Sequence, residues 1–406
     1  MSLPNASKRS LAAIATVVAA ILGITACSDS SDGPAIQSLT VTSYNAGLAL
    51  NFVPYSNERL AANADLLAGY DTDVMCLQEV WLDDQVKTIS DAVRARLPHI
   101  YTVPPEQIFL DDAACTAEEV AGFADCARTQ CPGLSGSALV ACAPAQCGTF
   151  LPELSPNCFD GVVGAVGTPD ITVDQLLEIV TQPTGKFTYD GSLGLLLASR
   201  YPLQNREFQD FIDDSSTIHR GALYADIQVG RDSYLVGCTH TTANLSGSID
   251  YPASGKHGSW QGENRFMQEQ LITFAENRAA GRPILMAGDF NCGLANAANN
   301  VAGEWPENCQ TWLDAGFADP GAEQLPCTFC YSENTLLQPG SGNPDIFIDH
   351  VYVRNFKPAT PMRAERVLDD LVSVEATSPP TELAAEDSPI MLHPSDHYGV
   401  ELEVRR

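Results

Sequence analysis

Residues 282–292 read RPILMAGDFNC, an apolar run from Ile284 to Ala287 that delivers a glycine, an acid and an amide where a buried strand should end. Asp and Asn after a strand are ordinary turn formers, so GDFN taken alone is a polar turn. Its meaning depends on which other strand ends the chain places beside it.

Upstream, SLTVTSYN (38–45) alternates apolar and polar residues, NERLAANADLLAGY (57–70) has helical apolar spacing, and DTDVMCLQEVW (71–81) is a short buried strand running into polar residues. The rhythm resumes after residue 190 with GSLGLLLASRYPL, RGALYADIQV, DSYLVGCTH and a helix through GENRFMQEQLITFAENRAAG, before the quoted strand. PDIFIDHVYVR and HYGVELEV follow as further strands. Strands come both as neighbours and separated by helices, which predicts mixed sheets covered by helices and not a simple doubly wound sheet.

Polar residues recur where these apolar runs stop or are interrupted: Asn45, Glu79, His240, Asp289 with Asn291, Asp349, and Asp396 with His397. In this ordered set the chain resembles the endonuclease/exonuclease/phosphatase superfamily, the fold of deoxyribonuclease I and the neutral sphingomyelinases. The resemblance spans roughly residues 38–103 and 187–406. It implies an α/β (α+β) fold, a four-layer α/β/β/α sandwich of two mixed β-sheets flanked by helices.

The resemblance also implies a chemistry, attack of water on a phosphoester, with a hard divalent cation to neutralise the charge that develops. Glu79 is the expected metal ligand with Asn45 assisting, and Asp396 and Asp349 widen the oxygen-rich set that suits Mg²⁺, or another divalent cation such as Mn²⁺ or Ca²⁺. His397 is the expected general base, oriented by Asp349. Asp289 is expected to hold the nucleophilic water, and Asn291 to donate to the phosphate from the same face of an extended segment. His240 is expected to contact the phosphate or protonate the leaving group. His350, next to Asp349, should face the other side of its strand, and His219 in IHRGALY is a possible substrate contact.

HRGALYADI, VGCTH and the loop TFCYSENTLLQPGSGNPDIFIDHVYV are similar to the secreted sphingomyelinase branch. GDFN, His350 and a cysteine-rich stretch depart from it. The leading expectation is therefore a metal-dependent phosphodiesterase acting on a phospholipid head group, of sphingomyelinase or phospholipase C type. An extracellular nuclease is the alternative, and a surface-binding module that has lost its activity is a third.

Lys8 and Arg9 precede an apolar stretch, Leu11–Ile24, too short for a comfortable membrane span, which reads as an export signal over residues 1–26. ITAC resembles the bacterial lipobox, which makes Cys27 the lipid anchor, residues 27–37 a tether, and the protein an exported lipoprotein held at a membrane, outer membrane or cell surface. The formal charge is −29 and loses two cations and no acids with residues 1–26, reaching −31. A field of that sign repels polyanions and weighs against nucleic acid as a partner.

The domain from 38 to 406 is interrupted between 104 and 186 by Cys115, Cys126, Cys131, Cys142, Cys147 and Cys158, spaced so that each set of three recurs every sixteen residues. A stretch so rich in Gly, Ala and Pro is expected to have few large apolar groups and to rely on disulfides, among fifteen possible pairings. It reads equally as a lid or docking surface near the site and as a spacer. Cys292, Cys309, Cys327 and Cys330 are expected as disulfides in preference to a zinc site, with Cys292 pinned to Cys309. Cys76 and Cys238, inside core strands, are expected as buried thiols.

Overall fold

The structure, a computed structural model, describes residues 38–110, 112–247, 249–337, 341–375 and 389–405. The export signal, Cys27 and the tether fall outside these residues. Among the described residues no helix is long and apolar enough to cross a membrane.

In chain order the elements are β1 (Ser38–Asn45), α1 (Ser56–Gly69), β2 (Val74–Gln78), α2 (Asp83–Val93) and β3 (His99–Tyr101). Four helices follow: α3 (Ala117–Gln130), α4 (Gly136–Cys147), α5 (Pro156–Ala165) and α6 (Val173–Val180). The chain then runs through β4 (Leu196–Ser199), β5 (Gln204–Asp210), β6 (Gly221–Val229), β7 (Asp232–His240), α7 (Trp260–Ala279) and β8 (Ile284–Asp289). It closes with α8 (Pro306–Asp314), α9 (Pro320–Gln324), β9 (Asp349–Arg354), β10 (Met362–Val367), β11 (Val372–Val374), β12 (Ile390–Leu392) and β13 (Gly399–Arg405).

One sheet has the order β10-β13-β1-β2-β4-β3 and the other β5-β6-β7-β8-β9, with β11 and β12 as a small separate pair. Each large sheet holds one parallel pair, β1 with β2 and β7 with β8, and all its other pairs are antiparallel. Each parallel pair is joined by a helix, α1 in one sheet and α7 in the other, because parallel neighbours need a crossover.

Side-chain alternation builds the layers. Leu39 and Val41, Val74 and Cys76, Val236 and Cys238, Leu285 and Ala287, and Val351 and Val353 meet between the sheets. The intervening residues point outward, Met75 and Leu77 towards Leu67, Ile89 and Val93 of α1 and α2. On the far side Leu235, Ile284, Met286 and Tyr352 meet Met267, Leu271 and Ala275 of α7. The result is the four-layer arrangement of two mixed sheets between helices that the motif order implies. The α7 crossover starts where the Ser259 hydroxyl accepts from Gly262 N–H, and ends as Ala280 and Gly281 turn left-handed, φ 49° and 85°.

Cys76 and Cys238, expected as thiols, are bonded to each other. Both occupy inward positions on facing sheets, so period-two alternation brings their sulfurs together, a relation invisible from either strand alone.

The helical stretch also differs from its expectation. Val120, Phe123, Leu139, Phe159, Val162, Ile171, Leu176 and Val180 form a core of their own, with cysteines 115, 131, 147 and 158 inside it. The pairings are nested, Cys115 with Cys158, Cys126 with Cys147 and Cys131 with Cys142, so the sixteen-residue recurrence is not a repeated bridge. Packing of α4 back along α3 reverses the cysteine order and explains the inner two bonds, while Cys158 of α5 closes the outer one on Cys115, just before α3.

Candidate active site

The inward registers that fill the sandwich continue past its apolar end. Positions 39, 41, 43 and 45 share one face of β1, as do 236, 238 and 240 of β7, 285, 287 and 289 of β8, and 349, 351 and 353 of β9. Asn45, His240, Asp289 and Asp349 are therefore the polar end of the same layer whose deeper residues are Leu, Val and Cys. Asp289 is flanked in register by His240 on one side and Asp349 on the other. Asp349 opens β9 instead of ending it, as the antiparallel pairing of β8 with β9 requires. The site lies at the carboxyl ends of both parallel pairs, where open α/β sheets present their polar groups.

The GDFNC segment is anchored atom by atom. A side chain at Gly288 would place its Cβ 2.4 Å from the Thr239 carbonyl, so only glycine lets β7 and β8 approach here. The Phe290 carbonyl accepts from the Thr241 hydroxyl and from the amides of Asn264 and Gln268, at 2.6, 2.9 and 2.9 Å. Its ring is buried edge-on against Trp312 and Tyr352. Asn291 is left-handed, φ 48°, so the segment is not extended there and the expected shared face with Asp289 is corrected. Instead its N–H donates to Asp289 Oδ1 at 2.9 Å, and its side-chain amide donates to Thr241 O at 3.0 Å. Cys292 is bonded to Cys309, as expected.

Around Asp289 the polar groups converge. Its Oδ2 accepts from Asn45 Nδ2 at 3.1 Å and lies 3.4 Å from His240 Nε2 and 3.9 Å from His397 Nε2. His397 Nδ1 stands 2.9 Å from Asp349 Oδ2. Asp396 belongs to a loop braced by Ser395, whose hydroxyl donates to Asn45 O at 2.7 Å. Gly47, φ 57°, leaves room for it: a Cβ there would lie 2.4 Å from Asp396 Oδ1. Glu79 follows β2 in a left-handed turn, φ 57°, and its Oε2 is buried without a hydrogen-bond partner.

Crowding of carboxylates in a buried space controls the charges. Burial and then repulsion from Asp396 push Glu79 up to about 7, against His397 and Asn45. Burial and Asp349 push Asp289 up to about 6. Burial opposes the charged form of His397, but Asp349, Asp289 and Asp396 outweigh it and hold the ring well above its ordinary range. Burial, with Arg220 and His397, drives His240 well below it, so that ring is neutral. Asp289, Asp349 and His397 offer ligand atoms within 4.8 Å of one another. The orphaned Glu79 oxygen and the raised acids are what an oxygen-coordinated divalent cation would relieve, so the residues fit such an ion.

Three buried residues at or beside this site were not singled out in the sequence. Arg220 is buried with Nη1 unpartnered, stands over the Trp81 ring at 5.8 Å, and feels the charges of Glu79 and Asp289. Trp81 Nε1 is also buried without a partner, beside His240 at 6.0 Å between rings. Arg59 on α1, fully buried, donates to the carbonyls of Ala46, Gly47 and Pro394, tying together the loops that carry Asn45 and Asp396. Their signals were present in HRGALY, QEVW and NERL, but a basic or aromatic residue beside a strand is ordinarily surface or core.

His219 is not brought into the cluster: its ring nitrogens lie 2.7 Å from Gly191 O and 2.7 Å from Asp210 Oδ1. His350 faces away, as expected, and meets Asp319 at 2.6 Å and Cys292 O at 2.8 Å.

The sequence matches the Endonuclease/Exonuclease/phosphatase family over residues 42–397, and the chain belongs to that family. No curated protein sequence matches it. Among solved structures it resembles SmcL with TM-score 0.53 at 14% identity, over 91% of this chain and 99% of that one. It resembles sphingomyelinase C from Streptomyces griseocarneus with TM-score 0.51 at 16% identity, over 90% and 99%. A beta toxin variant from Staphylococcus aureus with bound magnesium ions gives TM-score 0.51 at 12% identity, over 90% and 99%. At such identities the likeness establishes the fold.

Proposed function

We propose that the chain is a divalent-metal-dependent phosphodiesterase that releases a phospholipid head group, in the manner of a sphingomyelinase or phospholipase C. The observation that carries this is the buried, unpartnered Glu79 carboxylate oxygen, which feels the charges of Asp396, Asp289 and His397, the imidazole held by Asp349. Sphingomyelinase C and beta toxin share the fold, and beta toxin's bound magnesium supports the choice of ion.

Glu79, Asn45 and Asp396 would hold the cation, Mg²⁺ or another such as Mn²⁺ or Ca²⁺, which supplies charge neutralisation on the phosphoryl and leaving oxygens. Added positive charge near Glu79 and Asp396 also counters the acids that keep His397 protonated, favouring the neutral ring a general base requires. His397 Nε2 takes a proton from water while Asp349 keeps Nδ1–H oriented. Asp289, 3.9 Å from that nitrogen, positions the water, whose oxygen attacks phosphorus as the bond to the leaving oxygen breaks. Neutral His240, Asn291 and the unpartnered Nη1 of Arg220 donate to phosphoryl oxygens.

Export and a lipid anchor at Cys27 would hold the site at a membrane, and the net charge of −29 disfavours a polyanionic substrate. The test is turnover of sphingomyelin, phosphatidylcholine and DNA, each with Mg²⁺ and with chelator. Head-group release abolished by chelation is expected. Cleavage of DNA alone, or turnover that chelator leaves intact, overturns the reading.

A further inference from the structure

Asp349 opens β9 of one sheet, His397 lies in the loop just before β13 of the other, and no ladder joins β9 to β13. Their 2.9 Å contact therefore needs another brace. The CTFC motif supplies one. Cys327 and Cys330 are bonded, closing a four-residue ring, so their sulfurs are not thiolates available to a metal.

Inside the ring, Thr328 is fully buried, and its hydroxyl oxygen accepts from the N–H groups of Ile348 and Asp349 at 3.1 and 3.2 Å. Its carbonyl accepts from Tyr398 N–H, next to His397, at 2.8 Å. Phe329 exchanges backbone hydrogen bonds with Ile346 at 3.1 Å each, and its ring lies 4.8 Å from the His397 ring. One residue thus holds the backbone of Asp349 at the start of β9 and the residue after His397 in the loop leading into β13, while the Phe329 ring packs tilted against the imidazole. A ring this short removes little entropy from the unfolded chain, so its main effect is on local shape.

We propose that the Cys327–Cys330 ring is a positioning unit for the Asp349–His397 pair, with Thr328 fixing the distance between the two sheets at this point and Phe329 fixing the plane of the imidazole. The inference rests on the reading of His397 as general base.

The test uses the full chain with Mg²⁺ and whichever of the three substrates it turns over, comparing Thr328→Val, Thr328→Ser and His397→Ala. Thr328→Val keeps the shape and removes the acceptor. Its kcat is expected to fall on the order of 10- to 100-fold with KM within about twofold. Thr328→Ser restores the acceptor and is expected to restore kcat. If His397→Ala is inactive while Thr328→Val keeps the parental kcat, the positioning role is wrong. If His397→Ala is active, the general-base reading fails first. Should Val at 328 prevent folding, the Cys327→Ala/Cys330→Ala pair and Phe329→Leu carry the same comparison: a selective loss of kcat supports the unit, and parental kcat in both overturns it.

Discussion

The β-sandwich and the helical stretch from Ala117 to Val180 use disulfides in opposite ways. The helices place Cys115, Cys131, Cys147 and Cys158 in the middle of a small core, where crosslinks add to limited apolar burial. The sandwich has a continuous apolar interior, and its three bonds lie near the end where that interior turns polar: Cys76–Cys238 two positions before Gln78 and His240, Cys292–Cys309 just after Asn291, and Cys327–Cys330 against Asp349 and His397. In one region the covalent bond supports folding. In the other it restrains the place where repelling carboxylates oppose close packing.

That contrast can be broken most decisively at the polar end. Glu79→Gln and His397→Ala are expected to lower kcat/KM by about 10³-fold or more, Glu79→Gln with little change in melting temperature because it removes a charge that Asp396 already repels, and His397→Ala with some loss because Asp349 loses its partner. A large loss of stability would show that the polar end supports the fold as well.

Phe290→Ala probes the outer layer behind GDFN, where the ring fills a pocket formed by Trp312, Tyr352 and His350. A cost of about 3–5 kcal/mol is expected in denaturant titration, since large-to-small changes leave a cavity.

In the helices, replacing Cys131 and Cys142 together by Ala is expected to destabilise by about 2–3 kcal/mol. The loss should appear as faster hydrogen exchange within residues 117–180, with turnover unchanged. Faster exchange throughout the sandwich would erase the distinction between the regions.

A pH-dependent effect lies where the regions meet. Asp160 on α5 accepts from the Ser254 hydroxyl at 3.1 Å, and burial lifts its carboxyl to about 6 against Lys186 and that hydrogen bond. A raised carboxyl stabilises the fold when neutral, so its contribution is present below its unfolded value of about 4 and is lost as pH rises through 6. Asp160→Asn should gain stability relative to the parent between those values, by at most ~3 kcal/mol for a carboxyl lifted from about 4 to about 6, and then level off. A flat difference across that range, measured by thermal melts, would contradict it.

Much of this was legible because strand ends carry polar residues in a fixed order. Asn45, His240, Asp289, Asp349 and His397 were found from where apolar runs stop, and the structure brings all five together. The roles of Arg59, Arg220 and Thr328 were not legible, since each acts by contacts between segments distant in sequence. The Cys76–Cys238 bond was missed for the same reason: alternation gives the face of each strand, but not which strand faces it. The helical core was underestimated because its large residues are diluted among Ala and Gly, and only folding gathers them.

The Cys76–Cys238 bond closes the chain between those residues into a covalent loop, 162 positions around, that contains the whole helical stretch. Asn45 stands before that loop, Glu79 just inside it and His397 after it, and a single cut in the helices opens the loop without releasing a fragment. The sandwich is thus indifferent, as a connected object, to whether the polypeptide is continuous through residues 117–180. That stretch is the natural place for a tolerated nick or for new chain ends in a circular permutant.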